Sequence, residues 1–345
     1  MNPYALSIML SSLATGTIMV MSGSHWLLVW MGLEINTLAI IPLMNQQLHP
    51  RSTEATMKYF LTQAVASALI LFSATTNAWL TGQWEMKELL PMQANMTTIA
   101  LMMKIGLAPM HFWLPEVLQG VDLTTGLILS TWQKIAPMTM IFMIHNTLNP
   151  YLLTPMAIMS TIIGGWGGLN QTQLRKIMAY SSIAHLGWMM TMATTCPNLM
   201  MLNFMVYLIM TSSMFLTMKY LKTTSINLLY LSWSNTPTMM AISSMTLLSL
   251  GGLPPTSGFM PKWLILQELT KHNTVTTATI LALSSLLSLF FYLRLTYTMV
   301  LTNSPNTSNA TITWRRKSNQ TSTIYSLMTI MAILLLPITP SMLLL

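Results

Sequence analysis

The chain is built from long apolar stretches that alternate with short polar segments. Eleven stretches have the roughly 20 residues that a helix needs to cross a hydrocarbon layer of about 30 Å. The pattern therefore predicts eleven membrane-spanning helices, the ninth of them with an interruption. The predicted spans are 3–21, 25–44, 57–80, 96–114, 123–144, 150–169, 175–195, 199–219, 237–268, 274–300 and 322–344.

The composition agrees with a protein that lies in lipid. Charged residues make up 6% of the 345 residues, and hydrophobic residues make up 53%. Soluble domains carry roughly 25% charged residues. The segments between the predicted spans are too short to form a soluble domain. We therefore expect residues 1–345 to form a single all-α, multi-pass membrane protein.

The positive residues favour one side of the predicted topology. Lysine and arginine stay preferentially on the side from which a membrane protein is inserted. Ten positive residues are assigned to loops after even-numbered helices, and only Lys87 and Lys271 lie in loops after odd-numbered helices. The N-terminus is therefore predicted inside and the C-terminus outside. The ten positive residues after even-numbered helices are Arg51, Lys58, Arg175, Lys176, Lys219, Lys222, Arg294, Arg315, Arg316 and Lys317.

This bias also accounts for the formal net charge of +8. A nucleic-acid partner is therefore not needed to explain it, and none is expected. The basic cluster "WRRK" at 314–317 is predicted to meet anionic phospholipid headgroups, for which cardiolipin is a candidate.

Once the twelve basic residues near the loops are assigned, three lysines remain within predicted spans, Lys104, Lys134 and Lys262, and Glu34 lies within a span as well. A charged side chain at the bilayer centre costs roughly 2.5 to 3.5 kcal/mol on insertion scales, and such residues usually mark a functional site. The alternative is that these residues have a structural role. Their side chains would then extend to the membrane surface or form one buried ion pair that fixes helix packing. Lys104 and Lys134 fit it poorly, because each lies about eight to ten residues from the ends of its predicted span. His185 is also predicted within a span, as either a relay or a packed polar residue.

Two of the predicted spans contain helix-breaking residues next to these charges. Gly106 and Pro109 follow Lys104, and the segment "GGLPPTSGFMPK" at 251–262 ends at Lys262. Proline removes a backbone donor and clashes with the preceding turn. Within a membrane such a break is tolerated where the backbone is buried in protein or lines a cavity that holds water.

The two breaks occupy corresponding places if the chain contains two units of five helices. Each break then lies in the fourth helix of its unit, and the odd number of helices inverts the second unit relative to the first. We predict repeat one at about 1–148, repeat two at about 149–301 and a C-terminal helix at about 322–344. Breaks at matching positions of inverted repeats indicate an ion or substrate path.

The ionisable residues suggest proton chemistry, since lysine and glutamate side chains bind and release protons. Glu34 is the only carboxylate within the first five predicted spans. Pairing with Glu34 would hold Lys104 protonated, and separation would release the proton. Cys196 is the single cysteine, so the sequence offers no disulfide, thiolate metal site or iron–sulfur ligation. The segment "GGWGG" at 164–168 lacks the spacing of a nucleotide-binding fingerprint.

Four segments resemble signature stretches of the antiporter-like, proton-pumping subunits of respiratory complex I. They are "KIGLAPMHFWLPE" (104–116), "QKIAP" (133–137), "RKIMAYSSIAHLGW" (175–188) and "GGLPPTSGFMPKW" (251–263). The resemblance covers essentially the whole chain. The 36 methionines are consistent with the mitochondrial genetic code, which reads an additional codon as methionine.

The resemblance implies a proton channel without redox groups of its own. It implies a glutamate and lysine pair at Glu34 and Lys104 and a central lysine at Lys134. It also implies that Lys262, after the second break, and His185 belong to the proton relay of the second repeat. FMN, iron–sulfur clusters and ubiquinone are then expected in other subunits. The expected partners are a neighbouring antiporter-like subunit, the small quinone-side membrane subunits and accessory subunits. The expected location is the mitochondrial inner membrane, with the N-terminus in the matrix and the C-terminus in the intermembrane space.

This sequence departs from the family in length, because members commonly have fourteen helices and we expect the helices of this chain to correspond to those from the fourth onward. Our hypothesis is that the chain carries protons from matrix to intermembrane space, driven by quinone reduction elsewhere. Two alternatives remain open from the residues alone. The chain is either a free-standing cation/proton antiporter or a structural scaffold whose buried charges hold helices together.

Overall fold

The computed structural model describes residues 2–46, 49–234, 236–301 and 323–339. Within these ranges the regular secondary structure is helical, and two isolated antiparallel bridges lie outside the helices. The α-helices, numbered here in chain order, are α1 Pro3–Ser22, α2 Trp26–Met44, α3 Pro50–Thr81, α4 Pro91–Ile105, α5 Trp113–Gly120, α6 Leu123–Ser130, α7 Trp132–Met143, α8 Pro150–Gly168, α9 Leu174–Thr191, α10 Pro197–Leu221, α11 Ile226–Leu231, α12 Pro237–Gly251, α13 Phe259–Lys271, α14 Val275–Leu301 and α15 Thr323–Leu334.

The all-helical membrane class predicted from the apolar pattern is confirmed. Among the described residues, five helices are long and apolar enough to cross a membrane. The count of eleven crossings and the inversion of the repeats stay predictions. The five segments are Pro3–Ser22, Trp26–Met44, Pro50–Thr81, Pro197–Leu221 and Val275–Val300.

The chain divides into two compact units. The first contains Met1–Ser160 and Met190–Pro197, and the second contains Thr161–Met189 and Asn198–Leu345. In the first unit, α2 packs against α1 and α3, and α3 also packs against α4 and α5. In the second unit, α12 packs against α14 and α15. The repeat boundaries at about 148 and 301 stay predictions.

Both interruptions predicted from glycine and proline are present. Helix α4 ends at Ile105, and Gly106 follows in the left-handed region with φ 84°. Helix α12 ends at Gly251, and Gly252 follows with φ 77°. Residues other than glycine rarely adopt this backbone conformation, which ends a helix. The chain resumes as α5 at Trp113 and as α13 at Phe259.

A further interruption was not predicted. Residues 123–144 were expected to form one continuous span, but the structure divides them into α6 and α7 at Thr131, whose φ is −113° and ψ −71°. The Thr131 Oγ1 donates a hydrogen bond of 2.7 Å to the Leu127 carbonyl. Such back-bonding by threonine bends helices.

Part of the predicted C-terminal span lies outside the described residues. Helix α15 covers Thr323–Leu334 of the predicted span 322–344, and a short 3-10 turn follows at Leu336–Ile338. The basic cluster at 314–317 also falls outside the described residues.

Candidate functional site

Lys104 lies in the last turn of α4 and is 6% exposed. The last carbonyls of a helix have no partner within it, and here side chains from two neighbouring helices reach them. The Trp113 Nε1 donates to the Met103 carbonyl at 3.1 Å, and the Gln63 Nε2 donates to the Lys104 carbonyl at 3.4 Å. The broken end of α4 is therefore bound from both α3 and α5, which fixes the backbone that carries Lys104.

Lys134 lies in the first turn of α7, directly after the interruption at Thr131, and is 2% exposed. Its backbone N–H donates to the Thr131 carbonyl at 3.2 Å. The neighbouring Gln133 Nε2 donates to the Asn36 carbonyl at 3.0 Å and so joins α7 to α2. Each of the two buried lysines of the first unit thus stands at a helix interruption.

One cavity of the first unit is lined by both Lys104 and Lys134. The centre of a water-sized sphere can occupy about 20 Å³ of this cavity, more than the roughly 10 to 15 Å³ that one water molecule needs. The structure thus brings together two lysines that lie 30 positions apart in the sequence. The polar residues that line the cavity with them are Asn36, Thr37, Tyr59, Gln63 and Gln133.

Glu34 lies within electrostatic range of Lys104. It also interacts electrostatically with Tyr59, a second residue that lines the cavity. Neither the Lys104 Nζ nor the Glu34 Oε2 has a hydrogen-bond partner among the described residues. The two groups are therefore within electrostatic range without being joined by a hydrogen bond.

Lys262 lies in the first turn of α13, in the second unit, and reaches back to the other side of its helix break. Its Nζ donates to the Gly251 carbonyl at 2.9 Å, at the C-terminal end of α12. A positive charge at this position complements the negative end of the helix dipole. The same Nζ lies 6.0 Å from the ring centroid of Trp188, at the limit of a cation–π contact.

His185 lies on α9 of the same unit and is 5% exposed. Its ring centroid lies 5.7 Å from that of Tyr207, a fully buried residue of α10. Trp188, which contacts Lys262, follows His185 by three positions on α9. His185 therefore lies about one helical turn before Trp188, the residue of α9 that Lys262 contacts.

The uncharged polar residues of these sites were not predicted from the sequence. Tyr59 and Gln63 are four positions apart and so share a helix face, as Glu34 and Thr37 do at a spacing of three. These spacings were visible in the sequence and could have indicated a polar helix face. Nothing in the sequence distinguished Tyr207 from the other tyrosines of the chain.

Comparison with known proteins gives matches over almost the whole length. Residues 23–288 match the family model of the NADH:quinone oxidoreductase/Mrp antiporter transmembrane region, and residues 289–343 match the C-terminal region of NADH dehydrogenase subunit 2. NADH-ubiquinone oxidoreductase chain 2 of Xenopus laevis is 61% identical over 341 residues, which cover 99% of both chains. The chain 2 protein of Squalus acanthias is also 61% identical, over 99% of this chain and 98% of that one.

Solved structures share the fold. A chain of respiratory complex I from Thermus thermophilus matches 98% of this chain and 80% of its own length, with a TM-score of 0.84 and 24% identity. A chain of the membrane-bound sulfane sulfur reductase, an archaeal respiratory membrane complex, covers 97% of this chain with a TM-score of 0.86 and 16% identity. At these identities the likeness concerns the fold alone.

Proposed function

The chain belongs to the NADH-ubiquinone oxidoreductase chain 2 family of antiporter-like membrane subunits, and on that basis we propose that it translocates protons as a membrane-arm subunit of complex I. The protons pass from the matrix to the intermembrane space. The reduction of ubiquinone in other subunits supplies the driving force, and this chain carries no redox step itself.

The observation that carries this proposal is the single cavity lined by Lys104 and Lys134. Each charged lysine in a membrane interior is costly, and two ammonium groups beside one small cavity also repel each other. A single proton that moves between the two amines avoids holding both charges at once. The pair of lysines is therefore better suited to passing a proton than to locking two helices together.

Glu34 acts in this scheme as the group that sets the charge of Lys104. When its carboxylate is close, it stabilises the protonated lysine, and when it is neutral or further away the proton is released toward Lys134. The electrostatic interaction of Glu34 with Lys104, without a hydrogen bond, supports this role, because the two groups can change their interaction without breaking a bond.

In the second unit we assign the relay to Lys262 and His185. Lys262 lies beside a helix break, as Lys104 does, and its Nζ donates a hydrogen bond to the Gly251 carbonyl. His185 lies on α9, and Lys262 lies against the same helix through Trp188. We propose that the two residues continue the proton path that starts at Glu34.

The setting of the chain follows from its family. We propose the mitochondrial inner membrane as its location, with the N-terminus in the matrix and the C-terminus in the intermembrane space. Of the eleven proposed crossings, ten form two inverted repeats of five helices and one is the C-terminal helix. FMN, iron–sulfur clusters and ubiquinone are assigned to other subunits. The proposed partners are a neighbouring antiporter-like subunit, the small quinone-side subunits, accessory subunits and anionic phospholipid such as cardiolipin.

The assignment to a large complex is tested by particle size. We expect the chain, extracted in mild detergent, to migrate only with the other complex I subunits. Recovery of the chain as a small particle that exchanges cations for protons in liposomes by itself would instead establish a free-standing antiporter.

Replacing Glu34 by glutamine keeps the shape of the side chain and removes its charge. We expect coupled NADH oxidation in the assembled complex to slow on the order of tenfold, the effect of about 1.4 kcal/mol on one proton-transfer step. The measurement is the NADH oxidation rate with proton uptake in sealed membranes. Glu85→Gln, at an exposed position outside the helices, serves as the control. Equal rates in the two variants would remove Glu34 from the path.

A further inference from the structure

A groove lies between α3 and α4 of the first unit, and neither the proton path nor the family comparison assigns a role to it. Its volume of about 460 Å³ lies within the range of ligand-binding pockets, roughly 300 to 1,000 Å³. Most of the side chains that line it are apolar. They include Phe72, Trp79, Leu80, Met92 and Met96, together with the polar residue Gln93.

Gln93 is the residue that indicates a ligand in this groove. It is 7% exposed. Among the described residues its carboxamide has no hydrogen-bond partner, and the fold does not close its oxygen and nitrogen off from the surface. Thr75 and Thr76 also line the groove, but their hydroxyls donate to carbonyls of their own helix. A nearly buried amide without a partner is costly and rare in native proteins.

The start of α4 adds a second polar feature at the same place. No side chain caps this helix, and its first turn contains no acidic residue. The first N–H groups of a helix have no partner within it, and together with the helix dipole they favour an anion such as a phosphate. Gln93 is the third residue of α4, so its side chain extends from the turn that carries these N–H groups.

The polar and apolar parts of the groove lie at different membrane depths. Trp79 is in the last turn of α3 and Gln93 is in the first turn of α4, so both lie next to the loop that joins the two helices. Tryptophan is enriched at the membrane–water interface. Phe72 precedes Trp79 by seven positions, which places it roughly 10 Å further along the helix from this loop. The groove thus has polar groups near the membrane surface and apolar groups deeper in the membrane, as a phospholipid has.

The loop between α3 and α4 narrows the class of headgroup. It contains Glu85, Lys87 and Glu88, and all three are exposed. One lysine between two glutamates complements a headgroup that has both a phosphate and an ammonium group. A headgroup with a second negative charge would be repelled by the glutamates. The charges of this loop therefore fit a zwitterionic phospholipid better than cardiolipin.

We propose that a zwitterionic phospholipid, such as phosphatidylethanolamine, binds in the groove between α3 and α4. Its phosphate lies at the start of α4, where the helix N–H groups and the Gln93 Nε2 donate hydrogen bonds to it. One acyl chain lies along Phe72 and Met96. This lipid site is separate from the cavity of the two lysines and does not depend on the proposed proton path.

The test uses assembled complex I and a phosphatidylethanolamine that carries a diazirine at the end of one acyl chain. After illumination we expect the probe to label the apolar end of the groove, at Phe72 and Met96, and unlabelled phosphatidylethanolamine to compete with it. Gln93→Met keeps the length of the side chain and removes its polar atoms. We expect this variant to reduce the labelling on the order of tenfold, through the loss of a hydrogen bond to a charged group.

Gln267→Met is the matched control, because Gln267 is an exposed glutamine on α13. We expect it to leave the labelling of the groove unchanged. Met92→Trp is the second variant if methionine at position 93 prevents assembly. Met92 is 66% exposed and lines the groove, so a tryptophan there fills the groove from the surface and leaves the core as it is. We expect the labelling to be lost in this variant.

Three results would overturn the inference. The first is labelling of the groove that is equal in Gln93→Met and Gln267→Met. The second is competition by cardiolipin that is as strong as competition by phosphatidylethanolamine. The third is a cross-link from a photoreactive amino acid at Met92 to another subunit, which would show that a protein helix fills the groove.

Discussion

Complex I that carries Lys134→Met is expected to assemble normally but to pump fewer protons for each electron that it transfers. Methionine fills nearly the space of lysine and cannot bind a proton. Lys134 is 2% exposed and lines the cavity next to Lys104, so no solvent-exposed base can easily replace it. Loss of a group that accepts a proton typically slows such a step by about 100-fold or more, and we expect this effect on coupled turnover.

The control for this variant is Lys271→Met. The Lys271 side chain is 58% exposed and pairs with Glu268 at the surface, where an ion pair contributes roughly 0 to 1 kcal/mol. We expect this complex to pump as the unmodified one does. A Lys134→Met complex with a normal proton-to-electron ratio but reduced assembly would identify Lys134 as a structural residue, in agreement with a scaffold.

Gly258→Ala is expected to have the largest effect on folding. Gly258 precedes α13, and an added Cβ there would lie within 1.9 Å of the Ser249 carbonyl oxygen of α12. The Ser249 carbonyl oxygen belongs to the backbone and cannot turn aside as a flexible side chain could, so α12 and the start of α13 must move apart. We expect a cost of about 3 kcal/mol, the upper end of the usual range for an overpacked core.

A destabilisation of this size lowers the abundance of a protein several-fold. The measurement is the amount of the chain in intact complex I on native gels. Gly251→Ala is the matched control, because its Cβ would meet its nearest neighbour, in Tyr292, at an ordinary 3.7 Å. Equal amounts of the two variants would contradict the close approach of α12 to Gly258.

The sequence was most informative where the backbone chemistry is local. Gly106 and Gly252 both adopt the left-handed conformation that ends a helix, and both breaks could be predicted because glycine and proline act on their own turn. The interruption at Thr131 could not be predicted in this way. Threonine is common in apolar helices, and its bond to the Leu127 carbonyl depends on the conformation it adopts.

The charged residues of the site could be identified from the sequence, but the neutral residues around them could not. A buried lysine in an apolar span is conspicuous, so Lys104 and Lys134 were both identified. The neutral residues around them are placed by tertiary contacts. The bond from Gln133 to Asn36 joins residues 97 positions apart, and no local pattern encodes it.

The pairing of Glu34 with Lys104 illustrates the same limit. The sequence indicated both partners, because few ionisable residues lie in the predicted spans. Whether they meet depends on how α2 and α4 pack. The structure places them within electrostatic range, with no hydrogen bond to the Lys104 Nζ.

The most direct measurement is the proton-to-electron ratio of assembled complex I with the double substitution Lys104→Met and Lys134→Met. If one proton passes through both lysines, the double variant should lose about as much pumping as Lys134→Met alone, because either change interrupts the same path. An unchanged ratio in the double variant would show that protons do not pass through this cavity.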